Sequence, residues 1–259
     1  MVVDGRAVPV PDPAGLARIL CDRKEGVGAD TLLLLHRSEE ADLLVRIFNP
    51  DGSEGEMSGN GTRSVAGYFL AGEGAGRESA TVETVAGVSS HRLIRREGRR
   101  LFIASKILAP RFEPDGLDQE ITLSDGKFLV SAVSIGNPQA VLLEGWTEEN
   151  WRRIGREVEV HPLFPHRTNV DFVQVVARNH LRVVLWERGV GPVEASGTGA
   201  SGAFAVARRK ALVERKVRIT MEGGEIEMEE IEDGLLLTGW MEEVFRGVMN
   251  REITGKGSA

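Results

Sequence analysis

The sequence of 259 residues has a single cysteine, no long apolar run and no excess of basic residues. One cysteine excludes a disulfide scaffold, and purely apolar runs such as Leu32–Leu35 are far shorter than a membrane span. With 32 Lys and Arg against 39 Asp and Glu, the chain lacks the basic surface of a nucleic-acid binder. The five histidines show no ligand spacing such as H-E-x-x-H, so no metal is predicted.

The N-terminal sequence also lacks the features of a secretory signal. Met-Val-Val-Asp-Gly has neither a basic n-region nor a long apolar h-region. Apolar residues make up 41% of the chain and charged residues 27%, which excludes a disordered or collagen-like protein. We therefore expect a cytoplasmic globular protein, without a nucleic-acid or membrane partner, that forms one large domain or two of ordinary size.

Strands are predicted where short apolar runs rich in Val, Ile, Leu and Phe are bounded by Gly, Asp or Asn. These runs are Leu43–Phe48, Leu101–Ala104, Lys127–Val133, Asp171–Val176 and Leu181–Trp186. Residues 88–103 predict a hairpin that turns near Glu97-Gly98, and its arginines indicate a solvated strand face. The alternation of Glu with Ile and Met over residues 222–233 predicts an exposed hairpin strand.

Helical spacing appears over residues 13–23, 62–71, 147–158 and 199–215. Thr147, followed by Glu148 and Glu149, predicts an N-cap with an acidic first turn. The helix that starts near Gly199 has almost no polar residue at its beginning, which indicates that it is buried. Many strands around a few buried helices predict an α+β fold in which curved sheets wrap the helices.

One short pattern occurs twice: Met57-Ser58-Gly59-Asn60-Gly61-Thr62 and Ala195-Ser196-Gly197-Thr198-Gly199-Ala200. Ser196 follows Ser58 by 138 residues, just over half the chain, which indicates a duplicated two-domain molecule. Glycines allow close approach of a ligand to the backbone, and the first free N–H groups of a helix bind a carboxylate or phosphate. Two such helix starts would hold one anionic group from both sides. The alternative interpretation is two tight strand-to-helix turns without a ligand.

Other motifs in this region lack the context that they require. Gly197, Gly199 and Gly202 match G-x-G-x-x-G, but no βαβ unit leads into them and no acidic residue follows at the right distance. The nucleophile-elbow pattern G-x-S-x-G fails at Ser58 and at Ser196. Cys21 lies at the end of a predicted helix, where we expect a structural role.

Together, these motifs resemble the diaminopimelate epimerase family over nearly the whole length. The matching segments are Gly26–Asp30, Arg46–Ser53, Met57–Arg63, Glu83–Gly87, Gly136–Pro138, Arg167–Val170, Trp186–Gly191 and Ser196–Ala200. The resemblance implies two pseudo-symmetric domains, each a curved, mostly antiparallel sheet wrapped around a central helix, with the active site between them. It implies residues 1–110 as the first domain, completed by residues 245–259, and residues 111–244 as the second. It also implies a homodimer that uses no cofactor.

The chemistry implied is a two-base proton transfer at the α-carbon of an amino-acid substrate. In the family one cysteine thiolate removes the proton, and a second cysteine on the opposite face returns one. By resemblance, Gly59, Asn60, Gly197 and Thr198 would bind the α-carboxylate and Glu187 would bind the ammonium. The remaining polar groups of the substrate would be bound by Asn49, Asn137, Asn169 and Arg188. Fixed N–H donors at the carboxylate would stabilise the enediolate-like charge that develops during proton removal.

Both base positions are serine here, Ser58 and Ser196. The pKa of a hydroxyl lies about seven units above that of a thiol, so forming the conjugate base costs roughly 9–10 kcal/mol more. Greater alkoxide basicity or a neighbouring base would recover part of this difference, but no histidine adjoins either segment in the sequence.

The chain departs from the family at other places as well. Gln139 replaces a histidine found in many relatives, and Thr31 replaces a glutamine found in some. Ser64 and Ser201 replace non-catalytic cysteines. We also expect the chain to lack the strand and Gly-Asn-Asp-Phe loop that precede Val-Val-Asp-Gly in the family.

These departures leave three interpretations: a deliberately inactivated variant, a natural divergent member, or a relative that uses hydroxyls for another reaction at the α-carbon. We expect the second. The expected function is that of an isomerase which interconverts LL- and meso-diaminopimelate for lysine biosynthesis, impaired by the two serines. The alternatives are a non-catalytic amino-acid-binding homologue and a hydroxyl-using racemase or dehydratase-like relative.

Overall fold

The computed structural model describes residues 1–248, and these residues form two compact units. The first unit contains Met1–Ser105 together with residues 240–248, and the second contains Lys106–Gly239. The boundary predicted from the resemblance lies after residue 110, and residues 245–259 were predicted to complete the first domain; residues 249–259 lie outside the described residues.

The first unit combines a sheet with two helices. Its elements in chain order are β1 (Val2–Asp4), α1 (Pro13–Cys21), β2 (Leu32–His36), β3 (Leu43–Phe48), β4 (Glu54–Gly55), α2 (Gly59–Ala71), β5 (Ser79–Thr84), β6 (Gly87–Glu97) and β7 (Arg100–Ile107). The strand order is β1-β2-β3-β5-β6-β7, with β4 paired to β3. The pairs β1–β2 and β3–β5 are parallel and the pairs β2–β3, β5–β6 and β6–β7 are antiparallel.

The second unit has a related arrangement around two more helices. Its elements are β8 (Gln119–Leu123), β9 (Gly126–Ser134), β10 (Pro138–Leu142), α3 (Trp151–Glu159), β11 (Asn169–Ala177), β12 (His180–Glu187), β13 (Gly191–Val193), α4 (Gly197–Arg209), β14 (Lys216–Met221), β15 (Gly224–Ile231) and β16 (Gly234–Glu242). The last three residues of β16 belong to the first unit, as the last two residues of β7 belong to the second. The strand order is β16-β15-β14-β12-β11-β10-β9-β8, with β13 paired to β12. The pairs β10–β11 and β12–β14 are parallel, and the others are antiparallel.

One helix lies in the core of each unit. Val65, Ala66 and Leu70 of α2 pack with the buried leucines and valines of β2 and β3. In the second unit, α4 is buried over residues 199–207 and packs with β9–β12 and β14. The predicted burial of this apolar helix is therefore confirmed, and so is the α+β fold with few helices and a large sheet.

The five predicted strands and the hairpin that turns at Gly98 are all present, and α1 lies within its predicted span. At the predicted N-cap, Thr147 Oγ1 accepts from Glu149 N at 3.2 Å, but the helix starts later and its N-cap is Asn150. Residues 147–150 form a turn in which Thr147 O accepts from the N–H groups of Asn150 and Trp151, and α3 begins only at Trp151. The buried side chains of Trp151, Ile154 and Val158 fix the phase of this helix, so Glu148 and Glu149 precede it.

Two other helix boundaries differ from the prediction. Helix α2 begins at Gly59 because Ser58 caps it, three residues before the predicted start. Helix α4 ends at Arg209 rather than near residue 215, because Ala211 adopts the left-handed conformation (φ 57°), which an α-helix cannot continue through.

Candidate active site

Ser58 is the N-cap of α2. Its backbone is extended (φ −146°, ψ 111°), and its Oγ accepts a hydrogen bond from Gly61 N at 3.0 Å. Gly59 and Asn60 form the exposed first turn, whose N–H groups have no acceptor within the helix. Serine is a strong N-cap residue, which explains why the chain changes from extended to helical at this point. The result is a set of free N–H donors at the positive end of a helix dipole.

A buried guanidinium lies one turn into the same helix. Arg63 is 8% exposed, donates to Asn60 Oδ1 and forms no ion pair with a carboxylate among the described residues. Burial lowers the pKa of Arg63 to about 10, so the side chain remains cationic at neutral pH. Its charge adds to the helix dipole and favours an anion at this helix start.

Ser196 repeats the geometry of Ser58 at the start of α4. It is extended (φ −144°, ψ 125°), it is buried, and its Oγ accepts from Gly199 N at 3.3 Å. Thr198 Oγ1 lies 3.3 Å from Ser196 Oγ. The first turn, formed by Gly197 and Thr198, again offers N–H groups without helical acceptors. The two sequence repeats therefore have the same local structure.

Three asparagine and glutamine side chains lie beside this second helix start. Asn137 Nδ2 is 3.5 Å from Thr198 Oγ1, and Gln139 Nε2 donates to Asn137 Oδ1 at 2.8 Å. Asn169 Nδ2 donates to Pro138 O at 3.2 Å, while its Oδ1 accepts from the backbone of Arg188 at 2.9 Å. Asn137 and Gln139 are thus connected to Thr198, whereas Asn169 joins the backbones of Pro138 and Arg188.

The carboxylate of Glu187 is half-buried at the end of β12. Within residues 1–248 it has neither an ion-pair partner nor a hydrogen-bond partner. The turn that follows is held by buried Glu159, which accepts from Trp186 Nε1 at 2.7 Å and from Gly189 N at 3.0 Å. Arg188 is exposed and donates to His166 O at 3.0 Å. This leaves the Glu187 carboxylate available for a cationic ligand.

A second carboxyl group, on Asp171, is fully buried nearby in β11. Burial and then the charge of Glu187 raise its pKa well above the ordinary value. Its Oδ2 and Gln139 Oε1 are both buried and have no hydrogen-bond partner in the structure. A Cβ at Gly202 would lie 2.9 Å from the Gln139 side chain and 3.1 Å from Asp171 Oδ2, so both side chains border Gly202.

Comparison with known proteins shows the family. The diaminopimelate epimerase family model matches residues 1–100 and 131–244. Diaminopimelate epimerase of Moorella thermoacetica is 40% identical over 261 aligned positions, which cover 95% of this chain and 94% of that protein. The chain belongs to the diaminopimelate epimerase family. It is accordingly an enzyme of the racemase and epimerase type, and the resemblance stated from the sequence motifs is confirmed.

Solved structures agree with this family at the level of the fold. A Bacillus anthracis phenazine biosynthesis protein of the PhzF family superposes with a TM-score of 0.67 at 16% identity, covering 94% of this chain and 92% of that one. A hydroxyproline epimerase from Agrobacterium vitis, with bound trans-4-hydroxy-L-proline, gives a TM-score of 0.62 at 19% identity, covering 90% and 78%.

The structure places most of the family-derived site residues in two groups, one in each unit. Ser58, Gly59 and Asn60 are contiguous in the first unit, and the second unit brings together Asn137, Asn169, Glu187, Arg188, Ser196, Gly197 and Thr198. Asn49 is different. Its Nδ2 donates to Ser53 Oγ at 3.0 Å, and its backbone carbonyl accepts from Gly52 N. Asn49 therefore closes a tight turn in which Gly52 has a φ of 85°.

Two polar residues of this region were missed as site candidates. Asp171 is a charged residue inside the apolar run Val170–Val173, and Arg63 is a charged residue in a helix of small and apolar side chains. A charge at a position that the pattern marks as buried is the signal that was available. Within the described residues, no cluster of His, Cys, Asp and Glu is arranged to hold a metal, and none of the helices is both long and apolar enough to cross a bilayer.

Proposed function

We propose that the protein catalyses proton transfer at the α-carbon of an amino acid, as a diaminopimelate epimerase that interconverts the LL and meso forms in lysine biosynthesis. The observation that supports this most is the pair of helix starts at Ser58 and Ser196, which have matching backbone angles and free first-turn N–H groups. Capping by serine stabilises each helix independently, so stability does not require the two helix starts to match. Their similarity therefore supports a shared binding role.

In this proposal the first-turn N–H groups of Gly59 and Asn60, and of Gly197 and Thr198, bind the α-carboxylate. Arg63 adds a positive charge behind Asn60. Removal of the α-proton moves charge into the carboxylate, and fixed donors that already point at it stabilise the enediolate-like state without reorganisation. The half-buried Glu187 carboxylate, which has no partner among residues 1–248, binds the substrate ammonium.

The remaining polar residues determine the substrate. Asn169 is hydrogen-bonded to the backbones of Pro138 and Arg188, and Asn137 lies 3.5 Å from Thr198 Oγ1. We propose that Asn137, Asn169 and Arg188 contact the polar groups of the substrate away from the reacting carbon. Asn49 contributes through the oxygen of its amide, because its nitrogen is used in the turn. A substrate with a charged group at its distal end, such as diaminopimelate, matches this number of polar partners.

Ser58 and Ser196 occupy the two base positions, and we propose that they make turnover slow. Each Oγ accepts a backbone N–H bond, from Gly61 and from Gly199. A lone pair that accepts this bond is less available to take a proton from carbon. The N–H donors, however, also stabilise an alkoxide, and this recovers part of the roughly 9–10 kcal/mol by which a hydroxyl is harder to ionise than a thiol.

The test is α-deuterium incorporation from heavy water into LL-diaminopimelate, followed by mass spectrometry. We expect slow exchange for the natural chain and at least a hundredfold faster exchange for the double variant S58C/S196C. S64C is the matched control, because it adds a thiol to α2 nearly two turns after the base position and should give no gain. Absence of exchange in the double variant would refute the proposal.

A binding-only function is the second candidate, because both hydroxyls are used as N-caps while the carboxylate and ammonium sites have no partners. It predicts a calorimetric signal with an amino acid and no exchange, even in S58C/S196C. From the family we also propose that the protein acts as a cytoplasmic homodimer without a cofactor. Sedimentation velocity, and exchange assays after exhaustive dialysis against a chelator, test the assembly and the cofactor requirement.

A further inference from the structure

The buried carboxyl of Asp171 has no role in the mechanism proposed above, and its position in the repeat shows that packing does not require it. Asp171 follows Leu33 by the same 138 residues that separate Ser196 from Ser58 and Gly199 from Gly61. The contacts correspond as well. A Cβ at Gly61 would lie 2.9 Å from Leu33 Cδ2, and a Cβ at Gly199 would lie 2.6 Å from Asp171 Oδ1.

The first unit thus fills this position behind its central helix with leucine, and the second fills it with aspartic acid. Burying a polar group without a compensating hydrogen bond is unfavourable, and burying a charge is more so. Leucine shows that an apolar side chain fits the corresponding space. A carboxyl group at this point therefore indicates a function that leucine cannot perform.

Gln139, which borders Gly202 together with this carboxyl, is connected to Ser196 by a series of polar contacts. Gln139 Nε2 donates to Asn137 Oδ1 at 2.8 Å, Asn137 Nδ2 is 3.5 Å from Thr198 Oγ1, and Thr198 Oγ1 is 3.3 Å from Ser196 Oγ. We call Asp171, Gln139, Asn137, Thr198 and Ser196 the polar chain. The contacts at 3.5 and 3.3 Å are long, as catalytic hydrogen bonds often are before a substrate binds.

The direction of the donors along the polar chain depends on Asp171. Gln139 uses its nitrogen toward Asn137, so its buried Oε1 is left without a donor among residues 1–248, as the buried Asp171 Oδ2 is left without a partner. A protonated carboxyl has one O–H to donate, whereas a carboxylate only accepts. An ionised Asp171 would instead attract the Gln139 nitrogen, and every donor along the chain would reverse.

We propose that Asp171 is a positioning residue for Ser196: its carboxyl O–H donates to Gln139 Oε1 and fixes the direction of every hydrogen bond in the polar chain. Thr198 then accepts from Asn137 and donates to Ser196 Oγ. Ser196 Oγ therefore receives two donors, the Thr198 hydroxyl and Gly199 N–H, and its own proton points away from them. Two donors on one oxygen favour its ionised form.

The electrostatics of the second unit support the same protonation state. Burial and then the charge of Glu187 both raise the pKa of Asp171, which favours the protonated carboxyl. The importance of this arrangement for turnover rests on the proposed function. The arrangement itself does not, and it is measured without any substrate.

The experiment reports on the group at position 196 through a thiol. In the variant C21A/S196C the only thiol is at position 196, and the pH profile of its alkylation by iodoacetamide gives its acidity. Adding D171L removes the donor to Gln139, and we expect alkylation at pH 7 to slow about three- to tenfold, the effect of losing one ordinary hydrogen bond to the ionised form. Adding D171N restores an N–H donor, and the rate should return to that of C21A/S196C.

Two further variants separate positioning from a general loss of structure. Q139L breaks the same chain at the next residue, so its effect should equal that of D171L and the two should not add in the double variant. S131A removes a buried hydroxyl of the second unit outside the polar chain, and it should leave the alkylation profile unchanged.

Infrared spectroscopy provides an independent measurement on the unmodified protein. We expect a protonated-carboxyl C=O band at pH 7 that is absent from the D171N spectrum. The proposal is overturned if this band is absent, if D171L leaves the alkylation rate unchanged, or if D171N slows alkylation as much as D171L does. If these tests are passed but the variant S58C/S196C exchanges no α-deuterium, the proposed function is refuted and the role of Asp171 remains.

Discussion

Gly61 N donates to Ser58 Oγ at 3.0 Å, so the side chain at the first base position is also the N-cap of α2. Ser196 and Gly199 repeat this relationship at 3.3 Å in α4. A serine at either position therefore stabilises the helix start. The same residue also affects the binding of an anion to the first-turn N–H groups. The two roles respond differently to substitution and are separable by experiment.

Replacing Ser58 separates the cap from the anion site. S58A removes the acceptor for Gly61 N and should cost about 1 kcal/mol of stability. S58D retains an acceptor and should fold with nearly the original stability, but its charge repels the substrate carboxylate at the helix start. Calorimetric unfolding gives the stabilities, and titration with LL-diaminopimelate gives the affinities. If S58D binds the amino acid as well as the natural chain, the carboxylate is not bound at this helix start.

Gly59 and Gly199 provide a pair of substitutions with opposite expectations. A Cβ at Gly59 meets nothing within 4 Å, so G59A should leave the stability unchanged or raise it by a few tenths of a kcal/mol. The added methyl group lies where a carboxylate would approach the N–H groups, and affinity should fall at least tenfold. A Cβ at Gly199 would lie 2.6 Å from Asp171 Oδ1 and Leu185 Cδ2, so G199A should lose about 1–3 kcal/mol through overpacking.

Thermal unfolding and amino-acid titration of the two alanine variants check this pair. Unchanged binding by G59A would place the ligand elsewhere. A fully stable G199A would show that β11 and β12 shift easily away from α4, against the tight contact described above.

The sequence predicted the helix starts because their chemistry is local. Serine as N-cap, followed by Gly-polar-Gly, is enough to specify an extended residue and a first helical turn, and both segments adopt it. Strands such as β3 were predicted correctly because their apolar runs end at turn residues. At Thr147 the local hydrogen bond is also formed, to Glu149 N, but α3 begins only at Trp151. The burial of Trp151 and Ile154, which only the packed structure shows, accompanies this later start.

The polar groups behind the helices were not predicted because their partners are distant in the sequence. Asp171 borders Gly199 and Gly202, and Gln139 reaches Thr198 through Asn137. These contacts join β10, β11 and α4, and no spacing rule relates the three. Asp171 was visible in the sequence as a charged residue in an apolar strand. Its contacts with Gly199 and Gly202, however, are known only from the structure.

His91 makes stability depend on pH in the weakly acidic range. It is buried, with Ser105 Oγ 2.8 Å from Nδ1 and Ser89 Oγ 2.9 Å from Nε2, and burial followed by the charge of Arg63 lowers the pKa of His91 to about 4. In the unfolded chain this histidine takes up a proton near pH 6.5, whereas the folded chain does not. Stability should therefore be complete above about pH 6.5 and fall as the pH drops toward 4, by on the order of 3 kcal/mol.

H91Q tests this contribution, because glutamine can both donate and accept at the two serines but does not titrate. Chemical unfolding at several pH values should show a smaller loss between pH 6.5 and 4 in H91Q than in the natural chain. Parallel curves for the two proteins over this interval would show that His91 is charged in the folded state.

Asp171 should give a pH dependence of the opposite sign. Its pKa is raised in the folded protein, so in the weakly acidic range the unfolded chain releases this proton while the folded chain keeps it. The stability that this group contributes is complete below its unfolded pKa and is lost as the pH rises toward its folded pKa, at up to about 1.4 kcal/mol per pH unit.

D171N removes the titration and keeps the shape of the side chain. The stability of D171N relative to the natural chain should therefore increase steadily above about pH 4, as measured by urea unfolding of both proteins in matched buffers. Because the slopes of His91 and all other groups are common to both proteins, they cancel in this difference. A difference that stays constant with pH would mean that Asp171 ionises in the folded protein as it does in the unfolded chain, and the carboxyl would then have no proton to donate to Gln139.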